Sequence, residues 1–281
     1  MHVHDLTPFI GVELTGVTYD QLRDPEVFDR VADGLRERDL VVIREIEMSP
    51  AEQIELATRL GRPVPFVLKE FRHPDFDEIL VSSNESEAGR PLGIPRVGNF
   101  WHQDSSFTSR PAEYTMLHGV RVPHTTGHTL FASAVDVFER LPEAWRDKLR
   151  GRTGLHTLTK QQRIAPEHVG LSIAEMKALV AQEYPAVSHP VVAREEATGR
   201  EYLYATPEYM DSVVGFDANE NAAFFDLVND VVQEPSRVYT HRWMPGDLLV
   251  WKTATVYHVA TEVAPGTPRT VHRISITDRA N

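Results

Sequence analysis

The sequence predicts an α+β protein, a β-sandwich or jelly roll flanked by helices, on three observations. Helical periodicity dominates up to about residue 60, ten short β-rich runs follow from residue 78 onward, and two helical segments interrupt those runs. Residues 19–38 read as one helix, because Leu22, Val27, Phe28, Val31 and Leu35 recur at helical spacing between charged residues. Leu40-Val41-Val42-Ile43 reads as a buried strand. Pro50 opens a second helix through Leu60, with Ser49 as its N-cap and Gly61 as its C-cap. The β-rich runs lie at 78–83, 114–122, 129–134, 153–159, 186–194, 201–205, 237–243, 247–251, 255–260 and 269–277. Turns such as Pro123 to Gly127, Thr198-Gly199 and Pro245-Gly246 separate them. The helical insertions fall near 172–183 and 218–233, the second with Phe224, Phe225, Leu227, Val228, Val231 and Val232 as an apolar face. No repeat or linker divides the chain, so one domain is expected over 1–281, with a helical part at 19–60 and a β core at 78–278.

Composition excludes several classes of function. Lys and Arg number 29 against 41 Asp and Glu, a net charge of −12, and no basic run is present, which argues against a nucleic-acid partner. With 41% hydrophobic and 25% charged residues the chain has the means to build a core. No apolar run approaches the roughly 18 residues of a membrane span. The absence of cysteine removes disulfides, thiolate zinc sites and cysteine nucleophiles together. Met1-His2-Val3-His4-Asp5 lacks a signal-peptide pattern, so a cytoplasmic location is expected.

A metal site in this chain must use histidine and carboxylate. Two His-x-Asp tripeptides qualify, His73-Pro74-Asp75 and His102-Gln103-Asp104, and alternate residues of a strand project to one face. Composition supplies roughly one such tripeptide by chance, so the surroundings must decide. His73 sits beside a proline among Arg72, Asp77 and Glu78 and reads as a solvated turn. His102 lies in a strand-like run with Phe100, Trp101 and Phe107 around it, rings that would shape a water-poor cavity. The candidate third ligand is His258, after the run Gly246 to Trp251. Two histidines and a carboxylate make a facial triad with open positions, typical of non-haem Fe(II) oxygenases; the alternative is histidines merely satisfied beneath a sheet. Downstream, Arg269, Val271, Arg273 and Ser275 share one face of a strand, with Ile274 and Ile276 on the other. An arginine there offers the fork that binds a carboxylate in bidentate fashion, whereas alone it would read as a surface cation.

This pattern resembles the taurine dioxygenase-like family of Fe(II)/2-oxoglutarate-dependent dioxygenases over most of the chain, from about residue 5 to 278. The family's His-x-Asp matches His102 and Asp104, preceded by Trp101, and its distal histidine matches His258, 154 residues after Asp104. Thr129 stands 27 residues after His102, and Arg269 and Arg273 stand 11 and 15 after His258, as in that family. The pattern departs at Lys252-Thr253, where Asp-Asn often follows the tryptophan. No counterpart of the taurine-binding histidine is present near Phe66-Val67-Leu68-Lys69-Glu70.

The resemblance implies a double-stranded β-helix (jelly roll) core and Fe(II) held by His102, Asp104 and His258. It implies 2-oxoglutarate held by Arg269 and Thr129, with Arg273 on the same carboxylate or on an anionic group of the substrate. The implied reaction oxidises a C–H bond of a small anionic substrate with O2, by hydroxylation or desaturation, with release of succinate and CO2. Arg163, Lys69, Trp101, Phe107 and Arg273 are the candidate substrate contacts. Homodimers or homotetramers are common among such relatives. Glu78 to Ser83 and Gln162-Arg163-Ile164-Ala165-Pro166 are also similar to relatives that oxidise N-carboxymethyl amino acids to isonitriles. Those carry a tyrosine near 66–72, absent here, and a lysine where Arg163 stands. Two further alternatives are a catalytically silent jelly-roll binding protein and a metal hydrolase, which would need a general base and be indifferent to O2.

Overall fold

The structure is a computed structural model that describes residues 1–160 and 169–278. An eight-stranded mixed sheet runs in the order His2–Asp5, Val12–Thr15, Leu40–Ile43, Leu248–Lys252, Tyr114–Arg121 and Thr270–Thr277. Both Arg62–Val64 and Ile79–Ser83 pair with that last strand. All pairings are antiparallel except Val12–Thr15 with Leu40–Ile43. A three-stranded sheet places Thr129–Ser133 between Tyr239–His241 and Val256–Ala260. Seven α-helices are present among the described residues, and none is long and apolar enough to cross a membrane.

Alternation along the strands sorts the core into layers. Val41, Ile43, Leu248, Val250, Ile274 and Ile276 point to one face of the large sheet, against Phe28, Val31, Leu35, Leu56 and Ala57 of the helices Pro25–Arg38 and Pro50–Leu60. Leu40, Val42, Leu249, Trp251 and Val271 point to the other face, where they meet Phe131 and Val256 of the small sheet. Beyond the small sheet, Ala132 and Tyr257 pack on Phe138, Phe224 and Val228 of the helices Ala134–Arg140 and Ala218–Val232. Leu40 to Ile43 is therefore apolar throughout because both of its faces are covered.

Most of the expected runs form strands within a residue or two, while 153–159 shortens to Thr153–His156 and 186–194 divides into Val187–Pro190 and Val192–Arg194. Two expectations are corrected, and a third holds with a different backbone geometry. The helix expected over 19–38 is two, Tyr19–Leu22 and Pro25–Arg38, because Pro25 cannot continue the first and Asp24 caps the second by accepting from Glu26 N. Gly61 is the C-cap of Pro50–Leu60, its N donating to Ala57 O at 3.2 Å, with an extended rather than left-handed backbone at φ 177; a Cβ there would lie 2.2 Å from the Thr277 carbonyl oxygen. The run around His102 forms no strand, only a single bridge between His102 and His258.

Candidate active site

His102, Asp104 and His258 meet between the two sheets, buried, with one ligand atom of each within 4.8 Å of the others. His258 points inward from the small sheet, and the bridge to it carries His102: His102 N donates to His258 O at 3.1 Å and His258 N to His102 O at 2.9 Å. The chain then turns through Ser105, at φ 60, and Asp104 faces both imidazoles. His102 Nδ1 donates to Phe100 O at 2.8 Å, which fixes the tautomer and leaves Nε2 as the free lone pair toward the carboxylate. Each Asp104 oxygen lies 3.5 Å from a histidine Nε2, Oδ1 from His102 and Oδ2 from His258.

The electrostatics suit a metal. Burial works against the charge of Asp104, yet Arg273 beside it, and then the two imidazoles, outweigh burial and hold the carboxyl well below the usual carboxylate range. Burial, and next the neighbouring His102, push His258 down to about 3, so its ring is neutral and able to ligate. A buried set of two neutral imidazole nitrogens and one carboxylate fits a divalent transition metal.

Thr129, Arg269 and Arg273 line the same cavity of about 50 Å³, together with Leu80, Leu117 and Trp251. Val271 also faces it, so the expected arginine face of Thr270–Thr277 is the one turned to the cavity. Arg269 Nε donates to Gly127 O at 3.2 Å, and among the described residues no carboxylate pairs with this guanidinium; burial pushes its pKa down to about 10. Thr129 Oγ1 accepts from Trp243 Nε1 at 3.1 Å and keeps its own hydrogen for another acceptor. A buried cation without a counterion beside a free hydroxyl fits the distal carboxylate of 2-oxoglutarate. Arg273 is engaged: its Nη2 donates to Asp104 Oδ1 at 3.0 Å. A roomier cleft of about 570 Å³ at Thr15 to Thr18, Arg44, Glu45 and Met244 shares no lining residue with this cavity, and its Arg44 is already paired to Glu13 and Asp247.

The expected substrate residues are dispersed. Phe107 packs on Tyr209 at 5.0 Å between ring centroids, and Tyr209 faces Phe100 and His102, so Phe107 stands one ring removed from the metal set. Trp101 instead packs against the cluster beyond the small sheet, because its neighbours in the bridge turn it away from the cavity. Lys69 is exposed in the short Lys69–Phe71 turn and is not among the residues lining the cavity. Arg163 and the segment Gln162 to Pro166 lie outside the described residues. The turn expected at His73-Pro74-Asp75 is present, with Asp75 N donating to His73 Nδ1 at 3.1 Å. Sequence reasoning missed Trp243, Tyr209 and Thr115; a buried indole N–H needs an acceptor, which is the one signal Trp243 offered. At the Lys252-Thr253 departure, Lys252 turns outward to Glu195 and Arg36 O, while Thr253 is fully buried beside Thr115.

A His-Asp-His set between two sheets, with a counterion-free arginine in the same cavity, defines the class of 2-oxoglutarate-dependent dioxygenases. The chain belongs to the taurine catabolism dioxygenase TauD, TfdA family, whose pattern matches residues 2–275. It is thus an enzyme of that class, working with Fe(II) and 2-oxoglutarate. Pentalenolactone F synthase of Streptomyces avermitilis is 27% identical over 278 residues, spanning 94% of this chain and 90% of that protein. The α-ketoglutarate-dependent 2,4-dichlorophenoxyacetate dioxygenase of a Burkholderia species, strain RASC, is 26% identical over 267 residues, spanning 92% and 86%. The crystal structure of a taurine dioxygenase from Burkholderia xenovorans superposes with a TM-score of 0.78 at 22% identity, covering 99% of this chain and 90% of that one.

Proposed function

We propose that the enzyme oxidises a C–H bond of a small anionic substrate by hydroxylation or desaturation, and that the two facing sheets are the jelly roll that houses the reaction. His102, Asp104 and His258 hold Fe(II), and Arg269 with Thr129 holds the distal carboxylate of 2-oxoglutarate. One observation carries this reading: side chains as far apart in sequence as His102 and His258 converge in one buried cavity that also contains a guanidinium without a counterion. When bound, Fe(II) supplies oxidative decarboxylation of 2-oxoglutarate by O2 to succinate and CO2, leaving one oxygen atom to oxidise the substrate.

The protein's part is positioning. His102 is aimed by its bond to the Phe100 carbonyl, and Asp104 is held ionised by Arg273. The intact carboxylate leaves no place for a halide at that position, which favours hydroxylation or desaturation. Leu80, Leu117, Val271 and Trp251 keep bulk water from the cavity. Arg273 is the second cation in that cavity, and a guanidinium that keeps its bond to Asp104 still has N–H donors for a substrate anion, which is the basis for the anionic class; the 2,4-dichlorophenoxyacetate relative names a carboxylate.

The test is anaerobic. The folded protein is expected to bind one Fe(II) and develop a weak metal-to-ligand charge-transfer band on addition of 2-oxoglutarate, and His102→Ala should abolish the band. Arg269→Ala should mainly weaken 2-oxoglutarate binding; if affinity is untouched, that role passes to Arg273. Folded wild type that shows neither binding nor band sinks the assignment.

A further inference from the structure

We infer that Thr115 and Thr253 form a directed hydroxyl relay that fixes the orientation of the Asp104 carboxylate, so that both are positioning residues for the metal centre. The inference rests on the proposed role of Asp104 as a ligand. Thr115 Oγ1 donates to Asp104 Oδ2 at 2.9 Å, and Thr253 Oγ1 lies 3.3 Å from Thr115 Oγ1. Both threonines are 0% exposed, so neither hydroxyl has bulk water as a substitute partner. The ionised carboxylate is an acceptor only, so the single hydrogen of Thr115 is committed to it. Thr253 must then donate to Thr115, and the chain has one direction, from Thr253 through Thr115 to Oδ2. Polarisation along such a chain strengthens the terminal bond.

The sheet itself builds the relay. Thr115 is opposite Trp251 in register, and Thr253 follows two residues later in the turn just past that strand, where its backbone N donates to Glu113 O at 2.9 Å. Arg273 holds the other carboxylate oxygen from the adjacent strand. Asp104 comes from a turn and not from a strand, so its own backbone does little to fix the plane of its carboxylate. One donor on each oxygen supplies that constraint, which is the contribution that partners behind a metal ligand generally make to affinity.

The relay predicts how the apo protein takes up Mn(II), followed by electron paramagnetic resonance, and Co(II), followed by its visible absorption. Thr115→Val, which removes the hydroxyl at nearly constant volume, should weaken Mn(II) binding about tenfold and alter the Co(II) spectrum, and Thr115→Ser should restore both. Thr253→Val, which leaves the bond to Asp104 in place, should weaken binding by only about threefold. The double Val variant should be no worse than Thr115→Val alone, since Thr253 acts only through Thr115. Mn(II) affinity within twofold of wild type in both single variants, or additive losses in the double variant, overturns the relay. Failure of the parent reading looks different: wild type would bind neither ion, or His102→Ala would bind as wild type does.

Discussion

The side chains at the centre of this protein show how far burial alone sets chemistry. His156 is fully buried, neither of its ring nitrogens has a partner among the described residues, and its ring stacks on Tyr204 at 5.6 Å. Burial, and next the nearby His189, push its pKa down to about 3. The unfolded chain takes up the proton near pH 6.5, while the folded one refuses it until about pH 3. Between those values the unfolded state binds more protons, so stability falls as pH falls, and the loss is complete near the folded pKa. His156→Phe should therefore flatten the decline of the urea-unfolding free energy between pH 7 and 4, by up to about 1.4 kcal/mol per pH unit relative to wild type. Parallel slopes would show that the imidazole is not kept neutral by the fold. What was legible at this scale follows from residue type: with no cysteine, a metal site had to use histidine and carboxylate, and the surrounding aromatic run together with the family resemblance singled out His102, Asp104 and His258. The bonds of Thr115 and Arg273 to Asp104 were not legible, because they join a turn to two strands distant in sequence, a juxtaposition no local pattern fixes.

At the scale of elements, sequence signals served where period and capping acted alone and failed where a neighbour decided. Ser49 and Glu52 form the capping box the pattern at Pro50 implies. The helix Ala134–Arg140 was missed because Ala134, Val135, Val137 and Phe138 extend the apolar run of the preceding strand; the Ser133 hydroxyl, accepting from Asp136 N, switches the chain to a helix. Strand Arg62–Val64 hides behind its proline and pairs only because Thr270–Thr277 offers an edge. Gly61 tests the same point. Its extended backbone is open to any residue, so the demand for glycine comes from the Thr277 carbonyl 2.2 Å from where a Cβ would be. Gly61→Ala and Gly61→Asn should both destabilise by roughly 1–3 kcal/mol in urea unfolding. A left-handed cap would instead tolerate Asn, so a neutral Gly61→Asn would contradict the steric explanation.

For the whole molecule, the site is where the two sheets are fastened to one another. Arg273 belongs to Thr270–Thr277 of the large sheet and Arg269 immediately precedes that strand, while His258 and Thr129 belong to the small sheet. His102 and Asp104 come from the connection between Ile79–Ser83 and Tyr114–Arg121. An ion seated among three such segments has no counterpart in the unfolded chain, so its binding energy adds to folding stability. At a Mn(II) concentration one hundred times its dissociation constant the gain is about 2.7 kcal/mol, read as a higher urea midpoint at an unchanged m-value. Adding 2-oxoglutarate to the Mn(II)-loaded protein should raise the midpoint again if, as proposed, Arg269 holds its distal carboxylate. His102→Ala should lose both increments, while Arg269→Ala should keep the first and lose most of the second. Equal stabilisation of His102→Ala by Mn(II) would place the ion elsewhere, with His73 and His272, whose rings lie 5.4 Å apart on the other side of the large sheet, as the first location to test.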